Sequence, residues 1–150
     1  MKIIRNNRVA KKLSFLIICL LFGGCEENQK IEYYENGNVY SILVVNKKTG
    51  VDTLKKFYEN GKIDRIVIFK NGRRNGRYLT FHDNGQVMVE AYYELGKLNG
   101  KYLAYNENAT LIKDMKYVEG KLDGVPVSAK LYDLHGRLIM EQNSDTTVYY

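Results

Sequence analysis

The groups in this 150-residue chain that could do chemistry are two cysteines, two histidines, 17 acids and a few clustered cations. Cys19 lies inside an apolar run, and Cys25 directly follows the small residues Gly23 and Gly24. A thiol in that second setting is a nucleophile able to accept a diacylglyceryl group before the chain is cut. His82 and His135 sit in short polar segments with no cysteine partner, so a metal site would need carboxylates to converge on them from distant segments. Glu59 and Asp83 recur at equivalent places and could form an acidic ladder, but a catalytic carboxylate pair would have to converge rather than repeat. Arg73, Arg74 and Arg77 form a basic patch in GRRNGR, suited to phosphate headgroups or an acidic partner. The spacing of a P-loop is absent there. Ser and Thr are scattered without a nucleophile motif. The expectation is a chain that is not an enzyme, with no catalytic residue, no metal and no cofactor.

The elements around Cys25 give it an address. Residues 1–12 carry Lys2, Arg5, Arg8, Lys11 and Lys12 and no acid, and residues 13–22 read LSFLIICLLF. A charged start, a short apolar run and a small-residue exit make a secretory signal, predicted as a helix within residues 1–24. The apolar run is too short for a spanning helix, which needs about 20 residues. The stretch Leu21-Phe22-Gly23-Gly24-Cys25 resembles a bacterial lipobox. That resemblance implies cleavage between Gly24 and Cys25, lipid on Cys25 and a membrane reached through that lipid. Two or three acyl chains would hold the protein there durably, whereas one anchors only marginally. Residues 25–30 are then the lipidated cysteine and a tether. Glu26 and Glu27 resemble the acidic export tags of surface lipoproteins in the Bacteroidetes group, implying a surface-exposed outer-membrane address at the bacterial cell envelope.

Processing also changes the charge. The full chain has 23 Lys and Arg against 17 acids, but five of those cations belong to the signal. The remaining balance is nearly even, so the apparent basicity is no argument for nucleic acid, and no nucleic-acid partner is expected. With Cys19 discarded and Cys25 acylated, no thiol is left for a disulfide.

The remaining residues, 31–150, are periodic. YYENG (33–37), FYENG (57–61), FHDNG (81–85) and YNENA (105–109) follow one another at a step of 24 residues, and YDLHG (132–136) follows after 27. The closing glycines are Gly37, Gly61, Gly85 and Gly136, with Ala109 the exception. A second set recurs as Gly72 and Gly76, Gly96 and Gly100, Gly120 and Gly124. Asn-Gly between apolar runs signals a β-hairpin whose turn needs positive φ. Residues 86–94 alternate, with Val87, Val89, Ala91 and Tyr93 on one face and Gln86, Met88, Glu90, Tyr92 and Glu94 on the other. LGKLNG (95–100) reads as a second, wider turn before a strand at 101–105. The fold expected is all-β: an elongated antiparallel meander of hairpin repeats, about five in number, each burying its aromatics against its neighbours. TTVYY is expected to close the sheet or lie on its edge, and Pro126 marks a bulge or edge position.

FYENGKI (57–63) and YYELGKLNGKYLAYNENATL (92–111) resemble the MORN-repeat variant family of bacterial proteins. The resemblance covers about residues 33–140, with His82, Ala109 and the longer last interval as departures. It implies a binding or scaffolding module, often on envelope lipoproteins, with a protein or other envelope partner. Some relatives are labelled antitoxin-like, so the alternative it implies is an immunity protein neutralising a toxin. The family transfers no catalytic residues. The candidate binding surface is Arg73, Arg74, Arg77, Tyr78, Tyr92 and Tyr102, since tyrosine combines contact area with a polar tip. For most of the tyrosines, packing in the core is the expected role.

Overall fold

A computed structural model describes residues 27–118, 128–143 and 146–150. The signal helix, Gly24, Cys25, Gly120, Gly124 and Pro126 lie outside the described residues. The strands are β1 (Glu27–Tyr33), β2 (Val39–Asn46), β3 (Val51–Phe57), β4 (Ile63–Lys70), β5 (Arg73–Phe81), β6 (Val87–Glu94), β7 (Lys97–Tyr105), β8 (Leu111–Tyr117), β9 (Ser128–Tyr132), β10 (Leu138–Gln142) and β11 (Thr147–Tyr149). They form one 11-stranded sheet in chain order, each strand antiparallel to its neighbours. The all-β meander expected from the 24-residue period is therefore the fold, and TTVYY supplies its last strand.

One boundary moves. Glu27 to Lys30 pair with Asn46 to Leu43 of β2, so the sheet begins inside the segment read as tether. Polar residues conceal a strand there because ladder hydrogen bonds need only backbone, and an edge strand bearing charges is a common defence against unwanted pairing.

The Asn-Gly segments close alternate hairpins in one way. Tyr58 N donates to Lys62 O at 2.8 Å and Gly61 N to Tyr58 O at 2.9 Å, while Asn60 Oδ1 accepts from Lys62 N at 2.9 Å. This is a three-residue loop closed by one left-handed residue, Gly61 at φ 81°. Equivalent backbone bonds recur at Tyr34, His82, Asn106 and Asp133. The turns between β4 and β5 and between β6 and β7 are tighter than the sequence suggested. Asn71 (φ 51°) with Gly72 (φ 74°), and Leu95 (φ 49°) with Gly96 (φ 91°), make two-residue turns with both residues left-handed.

Gly76 and Gly100 consequently leave the turn where they were expected. They lie inside β5 and β7 at φ 99° and 98°. Val67 pairs with Tyr78 but Phe69 with Arg74, so the register steps around Gly76, and the same step occurs before Gly100. Closing the hairpin early leaves surplus residues on the return strand, and glycine lets that strand bulge. A second bulge interrupts the alternation predicted for residues 86–94. Phe81 pairs with Val87 and Thr80 with Val89, which leaves Met88 as an extra residue.

Ala109 occupies the left-handed loop position at φ 59°, where its Cβ is strained. Ala109→Gly is expected to raise unfolding stability by about 1 kcal/mol, and Gly61→Ala to lower it by a similar amount. Chemical denaturation of the two variants beside the parent measures both; equal midpoints would contradict the strain.

Candidate functional site

Cross-strand partners share a face, so the register sorts the surface. Leu43, Leu54, Val67, Tyr78, Ala91, Tyr102, Met115 and Ala129 form one row across the sheet. Two residues away on the same strands, Ser41, Lys56, Arg65, Thr80, Val89, Ala104, Lys113 and Leu131 form a second row on that face. Among the described residues the buried ones, Ser41, Val67, Thr80, Ala91, Ala104 and Ala129, all belong to these two rows. Small side chains are covered by the large ones beside them, as Ala91 lies between Tyr78 and Tyr102. No large side chain is fully buried among the described residues, because this face has no second layer over it.

The tyrosines of this face form an edge-to-face cluster. Tyr78 and Tyr93 have ring centroids 5.6 Å apart, and Tyr102 and Tyr117 6.1 Å apart. The Arg74 guanidinium lies 5.5 Å from the Tyr78 ring centre and 5.3 Å from that of Tyr93. Burial first, and then the neighbouring phenols Tyr93 and Tyr78, push the Tyr102 phenol above its ordinary pKa. Burial first, and then the phenols of Tyr102 and Tyr93, raise Tyr117 likewise.

The candidate surface chosen from sequence is split by the sheet. Arg74, Tyr78 and Tyr102 belong to the tyrosine face. Arg77 pairs with Tyr92 on the opposite face, where Arg77 Nε meets Glu90 Oε1 at 2.8 Å and Tyr92 Oη meets the same oxygen at 3.2 Å. That opposite face mixes apolar and charged groups in the row Ile42, Lys55, Ile66, Leu79, Glu90, Leu103, Asp114, Lys130 and Glu141. Arg73 stands at the turn opposite Lys70.

The hairpin loops carry bonds that were not foreseen. Tyr34 Oη donates to Phe57 O and Tyr58 Oη to Phe81 O, each at 2.5 Å, while His82 Nε2 lies 2.9 Å from Tyr105 O. A carbonyl can only accept, so His82 holds its proton on Nε2 in this contact. Each of these three bonds spans 23 residues and ties one repeat to the next. The available signal was the second position of each loop, where Tyr34, Tyr58 and His82 recur at the repeat step. In the last two loops the position passes to Asn106 and Asp133, which brace their own turns; Asn106 also donates to Leu134 O in the next repeat, at 3.3 Å.

Where that side chain shortens, the tyrosine face opens into a groove of about 710 Å³. Met88, Val89, Ala104 and Ile112 supply its apolar lining, while His82, Lys113 and His135 add polar groups. Its size and its mixture of apolar surface and few polar groups suit a ligand or an inserted side chain. Neither histidine contacts a metal-type cluster, and the described residues contain no group of three or more such ligands.

Residues 26–46, 53–71 and 74–95 match the model of the family described as MORN repeat variant. Residues 26–95 of the chain carry three MORN-variant repeats. These repeats make it a repeat-based binding or scaffold module, built on an antiparallel meander. Among curated proteins, none matches the chain. Among solved structures, the crystal structure of the pneumococcal O-GlcNAc transferase GtfA in complex with UDP and GlcNAc is similar at 20% identity and a TM-score of 0.31. The similarity covers 85% of this chain and 21% of that one.

Two consequences of the hairpin loops are measurable. Tyr58→Phe removes one inter-repeat hydrogen bond and is expected to cost about 1 kcal/mol; an unchanged denaturation midpoint would show that this bond is dispensable. Asp133 accepts from Arg137 N, from the Arg137 side chain and from His135 N, which lower its pKa to about 2 from an ordinary 3.8. A carboxylate whose folded pKa is depressed contributes stability above its unfolded pKa and loses it as pH falls through the folded value. Asp133→Asn should therefore remove part of the stability loss between pH 3.8 and about 2, as read by thermal unfolding across that window.

Proposed function

We propose that this chain is a lipid-anchored, non-enzymatic binding module of the bacterial cell envelope. The lipid is carried by Cys25, the repeats stand outside an outer membrane, and the partner is a protein or another envelope component. The observation that carries the binding part is the open groove on the tyrosine face, at the loops where the inter-repeat side chain shortens to His82 and Asn106. An array bound by its neighbours on two sides keeps such a face available, because one layer of sheet suffices for stability and the rest of the area is surface. The anchor rests on the signal and on Leu21-Phe22-Gly23-Gly24-Cys25.

Metabolic labelling with a radioactive or clickable fatty acid, followed by protease treatment of intact cells, tests the anchor and its side. The wild-type chain should take up label, fractionate with membranes and be clipped from outside. Cys25→Ala should lose the label and accumulate uncut with its signal attached. Label retained in Cys25→Ala would remove the anchor from this reading, and full protection of the labelled wild type would place the repeats on the inner side.

A further inference from the structure

Alternate connections of a meander lie on opposite long sides of its sheet, and here the two sides carry opposite charge. The loop side bears Glu35, Glu59, Asp83, Glu107 and Asp133 against Lys62 and Arg137. Among the described residues the turn side bears Lys47, Lys48, Lys70, Arg73, Arg74 and Lys97 against Asp52 and Glu94. All six of these cations are exposed, as are Glu35, Glu59, Asp83 and Glu107. Among the described residues none of these ten side chains forms an ion pair. The charges of residues 25–150 nearly cancel, so the segregation comes from the repeat and not from an excess of one sign.

The two sides also match in spacing. Neighbouring strands lie about 4.8 Å apart, and each side has one connection for every two strands, so charges recur every ~10 Å on both. The two series are offset by one strand. A second copy displaced along the strand direction would therefore set each acidic loop opposite the gap between two basic turns. Glu59 would face between the Lys47-Lys48 turn and the Lys70-Arg73 turn, and Asp83 between the latter and Lys97.

We propose that this chain associates side to side with a second copy of itself, the acidic loop side of one against the basic turn side of the next. Any single exposed ion pair contributes little, but a periodic set acts together. The contact is heterologous and leaves one side free at each end, so it extends into rows rather than closing as a two-fold dimer. It does not depend on the lipid; confinement to a membrane plane would only raise the effective concentration.

Sedimentation of the full chain in detergent at low and high salt tests this. Association at ~50 mM salt should weaken about tenfold or more at ~500 mM, where exposed charges are screened. The turn-side variant Lys70→Glu with Arg73→Glu should stay monomeric, and so should the loop-side variant Glu59→Lys with Asp83→Lys. Mixing the two should restore a complex, because each reversed side then meets its complement, and that recovery also shows both variants are folded. A chain monomeric at low salt, association insensitive to salt and reversal, or a mixture that stays monomeric would overturn the proposal. Binding to anionic phospholipid vesicles without self-association would also overturn it.

Discussion

Hydrogen-bonded pairing between consecutive strands is what everything else in this molecule leans on. The sheet has one layer, so no strand is covered from above, and each is held by the neighbour on either side. A lone hairpin is marginal in water, whereas several strands with a common apolar face become stable together. The buried residues confirm how thin the reserve is. They are mostly small, Ala91, Ala104, Ala129, Ser41 and Thr80, tucked beneath tyrosines that remain half exposed themselves. Stability is then a nearest-neighbour property, spread along the array rather than gathered in a centre.

That dependence explains the chemistry of the loops. If each repeat must hold the next, side chains that reach across the 23-residue step add to the ladder at its ends. Tyr34 and Tyr58 do so with long phenols, and His82 does so with a shorter ring. By the fourth loop Asn106 serves its own turn through its oxygen and reaches Leu134 O only at 3.3 Å. The repeats thus trade cohesion for an accessible groove toward the C-terminal part of the sheet, where exposed Leu134 and Ile139 also lie. The groove and the longer loop contact share an origin, a side chain too short to fill the space between loops.

The same architecture separates functions by face and by side. A sheet has two faces, and the register assigns tyrosines and small residues to one and mixed charges with aliphatics to the other. It also has two long sides, since a meander reverses direction at every connection. Residues close in sequence, such as Arg77 and Tyr78, are therefore directed at different surroundings. Residues 24 apart are brought into line.

The period, the hairpin loops and the all-β meander were legible in the sequence, because loop glycines and alternating apolar residues are local requirements of the backbone. Residues 87–94 form the strand expected there, with the alternation broken only by the bulge at Met88, and FYENGKI lies within the residues that match MORN-variant repeats. Where the second turn closes was not legible. Leu95 accepts a left-handed φ that its own preference opposes, and Gly100 moves into a bulge, because pairing across β6 and β7 outweighs the cost at one residue. The first strand was hidden for a related reason, since polar residues can pair through backbone alone. The division of Arg74, Tyr78 and Tyr102 from Arg77 and Tyr92 was settled only by the register, as a one-residue difference in position reverses the face. The groove was settled by tertiary structure too: its lining comes from three successive repeats, and only their pairing in one sheet brings His82, Lys113 and Leu134 together. Sequence determined which local conformations each repeat could take; the pairing of repeats decided which side chains meet, because contact between them depends on register, and register is a property of two strands at once.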